Sequence, residues 1–232
     1  SERNECTREN PVQVEVGEGD HVMVGVAGNY RGHHMHVSCS NITIVGKGKG
    51  KTTILGGFYL NGKQNVTIEQ LTVTNDAGHG LFCDGSGTNV DVTECCFKKC
   101  QFGGMEVYDG PTVTATRCDV MENGECGVAC AGANTKVRLN DSTVHHNGMF
   151  GLCADEHAVV DLHGTKTNIH SNKQFGIVAA KNGKVNIHLP SQHNTTHDNG
   201  RDRAQTRGGS IANINADGTF THVEEAEVDD DH

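Results

Sequence analysis

Hydrophobic and polar positions alternate along the central part of the chain, and the same arrangement returns after about 24 residues. The repeat is marked by a glycine followed by a short apolar run, and its five copies begin at Gly80, Gly104, Gly127, Gly151 and Gly176. Successive glycines lie 24, 23, 24 and 25 residues apart. Such a period indicates an architecture in which equivalent units stack on one another.

Each repeat contains three short segments. The apolar run after the glycine is the first, and a turn rich in Gly, Asp and Asn follows it. The second segment alternates strictly, which predicts a strand with one buried face. The third usually ends in an asparagine: Asn123, Asn147, Asn172 and Asn199. Because Asn tolerates left-handed backbone geometry, these residues are predicted to form sharp bends.

Three strands and three bends in each repeat predict an all-β parallel β-helix of about seven coils. Helical repeats need about 33 residues or more with 3.6-residue spacing, and leucine-rich repeats need a leucine ladder that this chain lacks. Coils stacked in register place equivalent residues in columns about 4.8 Å apart. Three such columns are apolar and predict the core: Val66, Val90, Val113, Val137, Val160 and Val185; Ile68, Val92, Ala115, Leu139, Leu162 and Ile187; and Leu81, Met105, Val128, Leu152 and Ile177.

The repeat divides the chain into three parts. Residues 1–40 are predicted to form N-terminal strands, an incomplete first coil and a cap, because end repeats need covering. Residues 41–200 form the β-helix. Residues 201–232 are predicted to form a C-terminal hairpin cap and an acidic tail.

The C-terminal part leaves the repeat. Residues 201–209 read as a loop, and the turn at residues 216–219 lies between apolar positions, which indicates a hairpin. Ile211, Ile214, Phe220 and Val223 are those apolar positions. We expect the hairpin to cover the edge of the last coil, which would otherwise invite aggregation.

Composition and charge exclude some functions. The formal net charge of −10 argues against nucleic-acid binding, which needs a basic surface. No apolar run approaches the ~18–20 residues of a membrane span, so no membrane insertion is expected. Hydrophobic content is only 34%, and Trp is absent. A thin solenoid fits this composition because its core is narrow.

Ten cysteines allow three interpretations. Cys83 and Cys130 occupy the same inward position two coils apart, and Cys95 or Cys96 shares a third-strand position with Cys118. Reduced core thiols would favour a cytoplasmic protein over a secreted one. Disulfides would indicate a secreted protein, and a structural zinc site is disfavoured because paired C-x₂-C motifs are absent.

The segment Ile42-Thr43-Ile44-Val45-Gly46-Lys47-Gly48, with Lys51-Thr52-Thr53-Ile54 and Gly56 after it, resembles the opening coil of pectin-lyase-like β-helices, including pectin methylesterases. The later repeats look like the right-handed β-helix repeats of carbohydrate-binding and sugar-hydrolase domains. The resemblance covers residues 41–200 and, with the crossover rule, implies a right-handed helix. The catalytic motifs of pectin methylesterases and the Asp-Pro-His-Asp of alginate epimerases are absent. No catalytic residue is therefore carried over.

Outward columns are where chemistry is expected. Polysaccharide lyases of the resembled fold use clustered carboxylates for calcium and a basic residue for proton abstraction. The nearest approximation on the second strands consists of the catalytic candidates Asp91, Arg138, Asp161 and His163. The alternative interpretation is a cross-strand ion pair on a solvated face.

The third strands carry His145, His170 and His197 at equivalent positions. Such a column could hold a transition metal or respond to pH, or consist of plain surface residues. Apart from calcium at the second-strand carboxylates or a transition metal at these histidines, no cofactor is predicted.

The outward column of the first strands is unusually apolar, which usually marks an interface. The candidate interface residues are Phe82, Glu106, Tyr108, Phe150, Cys153, Phe175 and Val178. This pattern favours a non-catalytic scaffold that presents a flat face to another protein or to a second copy of the chain. The alternatives for this face are covering by the N- or C-terminal segment or by the turn loops, and sugar binding by the aromatic rings. For the whole protein, the alternative is a carbohydrate-active protein, either a polysaccharide lyase, epimerase or hydrolase or a polysaccharide-binding module, that uses a polar outer face.

Overall fold

The structure, a computed structural model, describes residues 6–23, 33–188 and 195–222. These residues form strands, turns and bends arranged in three sheets, and none of them forms a helix long and apolar enough to cross a membrane. The chain winds through the three sheets in turn, so that about seven coils stack along one axis.

We number the strands in chain order and name each sheet after the segment of the repeat that supplies it. The first sheet contains β3 (His34–His36), β6 (Gly57–Asn61), β9 (Leu81–Asp84), β12 (Met105–Tyr108), β15 (Val128–Ala131), β18 (Phe150–Asp155), β21 (Phe175–Ala179) and β24 (Arg201–Gln205). The second sheet contains β1 (Val12–Glu15), β4 (Ile42–Val45), β7 (Val66–Glu69), β10 (Asn89–Thr93), β13 (Thr112–Thr116), β16 (Lys136–Asn140), β19 (Val159–His163), β22 (Lys184–His188), β25 (Ser210–Ile214) and β26 (Phe220–His222). The third sheet contains β2 (Gly19–Val22), β5 (Thr52–Leu55), β8 (Thr72–Thr74), β11 (Cys96–Lys98), β14 (Asp119–Met121), β17 (Thr143–His145), β20 (Asn168–His170) and β23 (Thr196–His197).

The predicted columns form the core. Val113 pairs in register with Val90 on one side and with Val137 on the other, and all three are buried. The same register holds along the other two columns. Apolar, mostly branched side chains therefore stack between parallel strands whose inward faces exclude water.

The asparagines at the ends of the third segments do not form the left-handed bends predicted for them. The residues with positive φ are those just before them: Glu122, His146, Ser171 and Asp198. The asparagine side chains instead point inward and form a ladder. Asn147 Oδ1 accepts hydrogen bonds from the backbone N–H and the side-chain amide of Asn123, at 3.2 and 3.0 Å, and Asn172 does the same for Asn147.

The repeated glycine is explained by this asparagine ladder. A Cβ atom on Gly127 would lie 2.4 Å from a methyl group of Val144 and 2.7 Å from Asn147 Nδ2. Gly104 and Gly151 face Asn123 and Asn172 in the same way. The glycine is therefore required by close packing against the next coil rather than by an unusual backbone angle.

The ends of the helix are more regular than the sequence suggested. Residues 12–36 supply one strand to each sheet, and residues 201–205, predicted as a loop, form β24 in register with β21. The predicted hairpin forms, and β26 pairs antiparallel with β25 at the edge of the second sheet. Val223 and the acidic tail lie outside the described residues.

All ten cysteines are free thiols in the structure. Cys83, Cys95, Cys118 and Cys130 are buried in the core as the sequence predicted. They act there as small apolar side chains.

Candidate functional site

One half of the outward face of the first sheet is lined by aromatic rings. Tyr59 and Phe82 occupy equivalent positions of successive coils, and their rings stack with centroids 5.7 Å apart. Tyr108 lies on the next strand opposite Asp84, and its ring contacts that of Phe82 at 5.8 Å. His36 extends the row beyond Tyr59 at 4.9 Å. We call this surface the aromatic strip, which comprises His36, Tyr59, Phe82 and Tyr108, with His79 beside Phe82 and Phe102 beside His79.

A carboxyl group is buried within the aromatic strip. Glu106 lies on β12 at an outward position, yet only 3% of the residue is exposed. Its carboxyl group accepts a hydrogen bond from the hydroxyl of Tyr108, and His79 Nδ1 lies 3.8 Å from Oε1. The carboxyl fits there because position 103 is a glycine, whose Cβ would lie 2.0 Å from Oε1.

This environment tunes the protonation of Glu106. Burial raises the pKa of the carboxyl to about 7, although the hydrogen bond from Tyr108 opposes the rise. Burial and the neighbouring carboxylate also raise the pKa of Tyr108, which therefore stays a proton donor at neutral pH. A carboxyl group that titrates near pH 7 is suited to general acid and base catalysis.

Two thiols stand near the carboxyl–tyrosine pair. Burial raises the pKa of Cys126 and of Cys153 to about 12. Both remain protonated at neutral pH and are poor nucleophiles. The chemistry that this site offers is therefore proton transfer rather than attack by a thiolate.

The seven candidate interface residues all lie on the outward face of the first sheet, and each is buried or half-buried. Three of them, Phe82, Glu106 and Tyr108, belong to the site just described. The other four form the apolar half of this face farther along the sheet, and Cys153 connects that half to the carboxyl–tyrosine pair. There Phe150 packs edge-on against Phe175 with centroids 5.6 Å apart, beside Cys153 and Val178.

The catalytic candidates on the second sheet are only partly brought together. Arg138 lies directly opposite Asp161, whereas Asp91 lies two coils beyond Arg138. Asp161 Oδ1 accepts hydrogen bonds from Asn186 Nδ2 and His188 Nε2, both at 3.0 Å. The ring of His163 stacks on that of His188 with centroids 3.8 Å apart. The structure thus joins Asp161 and His163 to the next coil.

Burial and neighbouring groups affect the pKa values of Asp161 and His163 in different ways. Burial opposes ionisation of Asp161, but hydrogen bonds from His188 and Asn186 outweigh it and lower the pKa of the carboxyl. Burial and the adjacent His188 lower the pKa of His163. At neutral pH the cluster therefore contains a carboxylate beside a neutral His163.

The histidines of the third sheet form a stacked column. The ring of His170 lies 4.9 Å from that of His145 and 5.1 Å from that of His197, with ring planes 3° apart in both pairs. Their Nδ1 atoms face His146, Ser171 and Asp198. Among the described residues, these three histidines are not a set whose ligand atoms converge within 4.8 Å.

Comparison with known sequences identifies the family. A family model described as "Right handed beta helix region" matches residues 17–144 and 55–224. The protein belongs to the right-handed β-helix family. No curated protein matches the sequence.

Solved structures share the β-helix fold at low identity. The Azotobacter vinelandii mannuronan C-5 epimerase AlgE4 A-module is 14% identical with a TM-score of 0.60, over 91% of this chain and 76% of that chain. The AlgE6 A-module from the same organism gives 14% and 0.57, over 91% and 75%. Pectate lyase Pel9A gives 14% and 0.52, over 86% and 68%. This likeness establishes a common fold with carbohydrate-active enzymes.

Two features of this β-helix were not assigned from sequence. The sequence predicts Glu106 at an apolar interface but does not predict its burial against Tyr108 and His79. The signal in the sequence that could have identified it is the presence of a glutamate in an otherwise apolar outward column. His188 is not among the residues that the sequence predicts for a site, because its convergence with Asp161 depends on side-chain directions between coils.

The stability of this β-helix should depend on its histidines. Burial lowers the pKa of His145 and His170, as it does for His163. The unfolded chain then binds protons more readily, so stability is complete above the unfolded pKa of 6.5 and is lost as pH falls below it. The rings are partly exposed, so solvent screening limits the expected fall in Tm between pH 7.5 and 5.5 to about 2–4 °C.

Thermal unfolding of Glu106→Gln protein, which lacks the opposing titration of Glu106, measures this effect. Adding His170→Gln should flatten the pH dependence. If the Tm of the His170→Gln variant falls with pH as steeply as that of its parent, the pH dependence does not come from this histidine.

Proposed function

We propose that the protein is a carbohydrate-active β-helix that binds a glycan chain along the aromatic strip, with Glu106 and Tyr108 as its proton-transfer pair. The observation that carries the proposal is the burial of Glu106 between Tyr108 and His79 inside a row of aromatic rings. A catalytic site needs a titratable group tuned toward neutral pH, and burial provides that here.

The aromatic strip supplies the binding surface. The rings of Tyr59, Phe82 and Tyr108, on three successive strands of the first sheet, follow one another at 5.7 and 5.8 Å, so a linear chain lying along the helix axis would meet ring after ring. Half-buried aromatic side chains offer flat apolar surface at a small entropic cost, and the tyrosine hydroxyls add polar contacts. Relatives of the same fold include epimerases of mannuronan and a lyase of pectate, which supports a polymeric sugar ligand.

Electrostatics favour a neutral glycan. Mannuronan and pectate are anionic polymers, whereas this chain carries a formal charge of −10. The carboxylate of Glu125 lies near Glu106 and adds to the rise in its pKa. A polyanion would be repelled from such a surface, while a neutral chain would not. Glu106 would then act as a general acid toward a glycosidic oxygen.

A panel of neutral and acidic polysaccharides tests the proposal. Wild-type protein should be retained by at least one neutral glycan and release shorter sugars from it. Phe82→Ala should weaken binding about tenfold, since a stacked aromatic contact contributes about 0.5–1.5 kcal/mol beyond its area. Phe150→Ala is the matched control, because it removes a phenylalanine from the apolar half of the same face.

The rival function, a scaffold for protein association, is favoured by the Phe150–Phe175 pair. Native mass measurement of the same variants separates the two. Self-association that Phe150→Ala abolishes, together with no glycan binding across the panel, would replace the carbohydrate proposal with the scaffold.

A further inference from the structure

Three metal-binding side chains converge on the second sheet, away from the aromatic strip. Asp161 and His163 project from β19, and His188 projects from the neighbouring β22. One ligand atom from each of the three lies within 4.8 Å of the others. Within the described part of the chain, these three are the set of His, Cys, Asp and Glu residues with this geometry.

We propose that Asp161, His163 and His188 form a binding site for a divalent transition-metal ion of the Zn²⁺ type. Imidazole nitrogen and carboxylate oxygen are the donors that such ions take in proteins, and three protein ligands are the usual number at an open site. The proposal stands apart from glycan binding, because the two sites lie on different sheets.

One distance supports a shared ion. Asp161 Oδ1 and His188 Nε2 lie 3.0 Å apart, close to the separation of two ligand atoms that both lie at about 2.0–2.2 Å from one tetrahedral zinc ion. In the metal-free arrangement a proton occupies the space between them, and an ion would replace it. The rings of His163 and His188 lie 3.8 Å apart with planes 15° apart, so binding requires the rings to turn until their nitrogens converge.

The third ligand supplies an independent observation. His163 Nε2 is buried and has no hydrogen-bond partner. A buried polar atom without a partner is costly and uncommon, and a bound ion is one of the few explanations for it. The unpaired nitrogen belongs to the same residue that the geometry selects as a ligand.

Neighbouring residues orient the ligands and leave access to the ion. Asn186 Nδ2 donates to Asp161 Oδ1 at 3.0 Å and fixes the carboxylate, as outer partners of metal ligands do. All three ligands are half-buried on the outer face, so a coordination position remains open to water or to a small ligand. Arg138 lies opposite Asp161 and limits the affinity through its positive charge.

Titration of chelator-treated protein with Zn²⁺, followed by calorimetry, tests the site, and Co²⁺ reports the ligands by its visible spectrum. We expect one ion per chain. Asp161→Asn, His163→Gln and His188→Gln should each raise Kd at least about tenfold. Asp91→Asn removes a carboxylate from the same outward column and should leave Kd unchanged. Circular dichroism and the Tm of each metal-free variant establish that it is folded.

The histidine column of the third sheet is the competing site. His170→Gln should leave Kd unchanged if the proposal holds. Loss of binding in His170→Gln with retention in Asp161→Asn would assign the ion to the column and overturn the proposal. Absence of stoichiometric binding by the wild-type protein would overturn it as well.

Discussion

Glu106→Gln protein is expected to be more stable than wild type above pH 7 and to act on its glycan about 10²–10⁴ times more slowly. The two effects have one cause. The carboxyl lies where its ionised form is poorly solvated. It is therefore a good proton donor near neutral pH, and its ionised form lowers the stability of the folded protein. Gln keeps the shape of the side chain and an oxygen that can accept the hydrogen bond from Tyr108, but it cannot transfer a proton.

The sign of the stability effect follows from the raised pKa. Burial moves the pKa of Glu106 from its ordinary 4.5 to about 7, so folding takes up a proton between these values. The wild-type protein is therefore fully stabilised below pH 4.5 and loses stability as pH rises through 7. Each unit of difference between the folded and unfolded pKa corresponds to ~1.4 kcal/mol, so the loss of stability amounts to about 3 kcal/mol. The Gln variant has no carboxyl to ionise and avoids it.

Urea unfolding at pH 4 and pH 8 measures the difference between the two proteins. The variant should gain about 3 kcal/mol relative to wild type between the two pH values. Glu69→Gln is the control, because it removes the same charge from the outward face of the second sheet. If the difference in unfolding free energy between the two proteins does not change with pH, the pKa of Glu106 is not raised as described. Stabilisation with full turnover would leave Glu106 a structural role alone.

The periodic features of this fold were accessible from sequence because they follow from two short periods. Alternation of period two assigns Val113 to the inside of a strand, and the repeat of about 24 residues places it between Val90 and Val137. Both inferences need residue type and spacing alone. They therefore predicted the core, the parallel sheets and the buried positions of Cys83 and Cys130.

The features that the sequence did not predict correctly depend on contacts between residues of different coils. Asn147 was interpreted by its own backbone preference, yet it is required for a hydrogen bond to the preceding coil. Glu106 was interpreted by the apolar column around it, yet the absent side chain of Gly103 decides how deeply it is buried. The polar residues of β24 predict a loop, yet pairing with β21 extends the first sheet through them. None of these partners lies within the local sequence window.

The asparagine ladder should be the most sensitive polar element of the fold. Asn147 is buried, and its Oδ1 accepts hydrogen bonds from the backbone and the side chain of Asn123. Its Nδ2 donates to the carbonyl of Val120 and to Asn172 Oδ1. The side chain thus joins three successive coils in a region that water does not reach.

Asn147→Ala is expected to lower the free energy of unfolding by about 3–4 kcal/mol. The substitution leaves the backbone N–H of Asn123 and the carbonyl of Val120 buried without these partners, and each such group costs about 1–3 kcal/mol. Asn140→Ala is the matched control, because Asn140 is half-buried on the outward face and makes a 3.4 Å bond to Thr116. It should cost less than about 1 kcal/mol. Equal losses in urea unfolding would mean that water replaces the amide and that the core alone holds the coils in register.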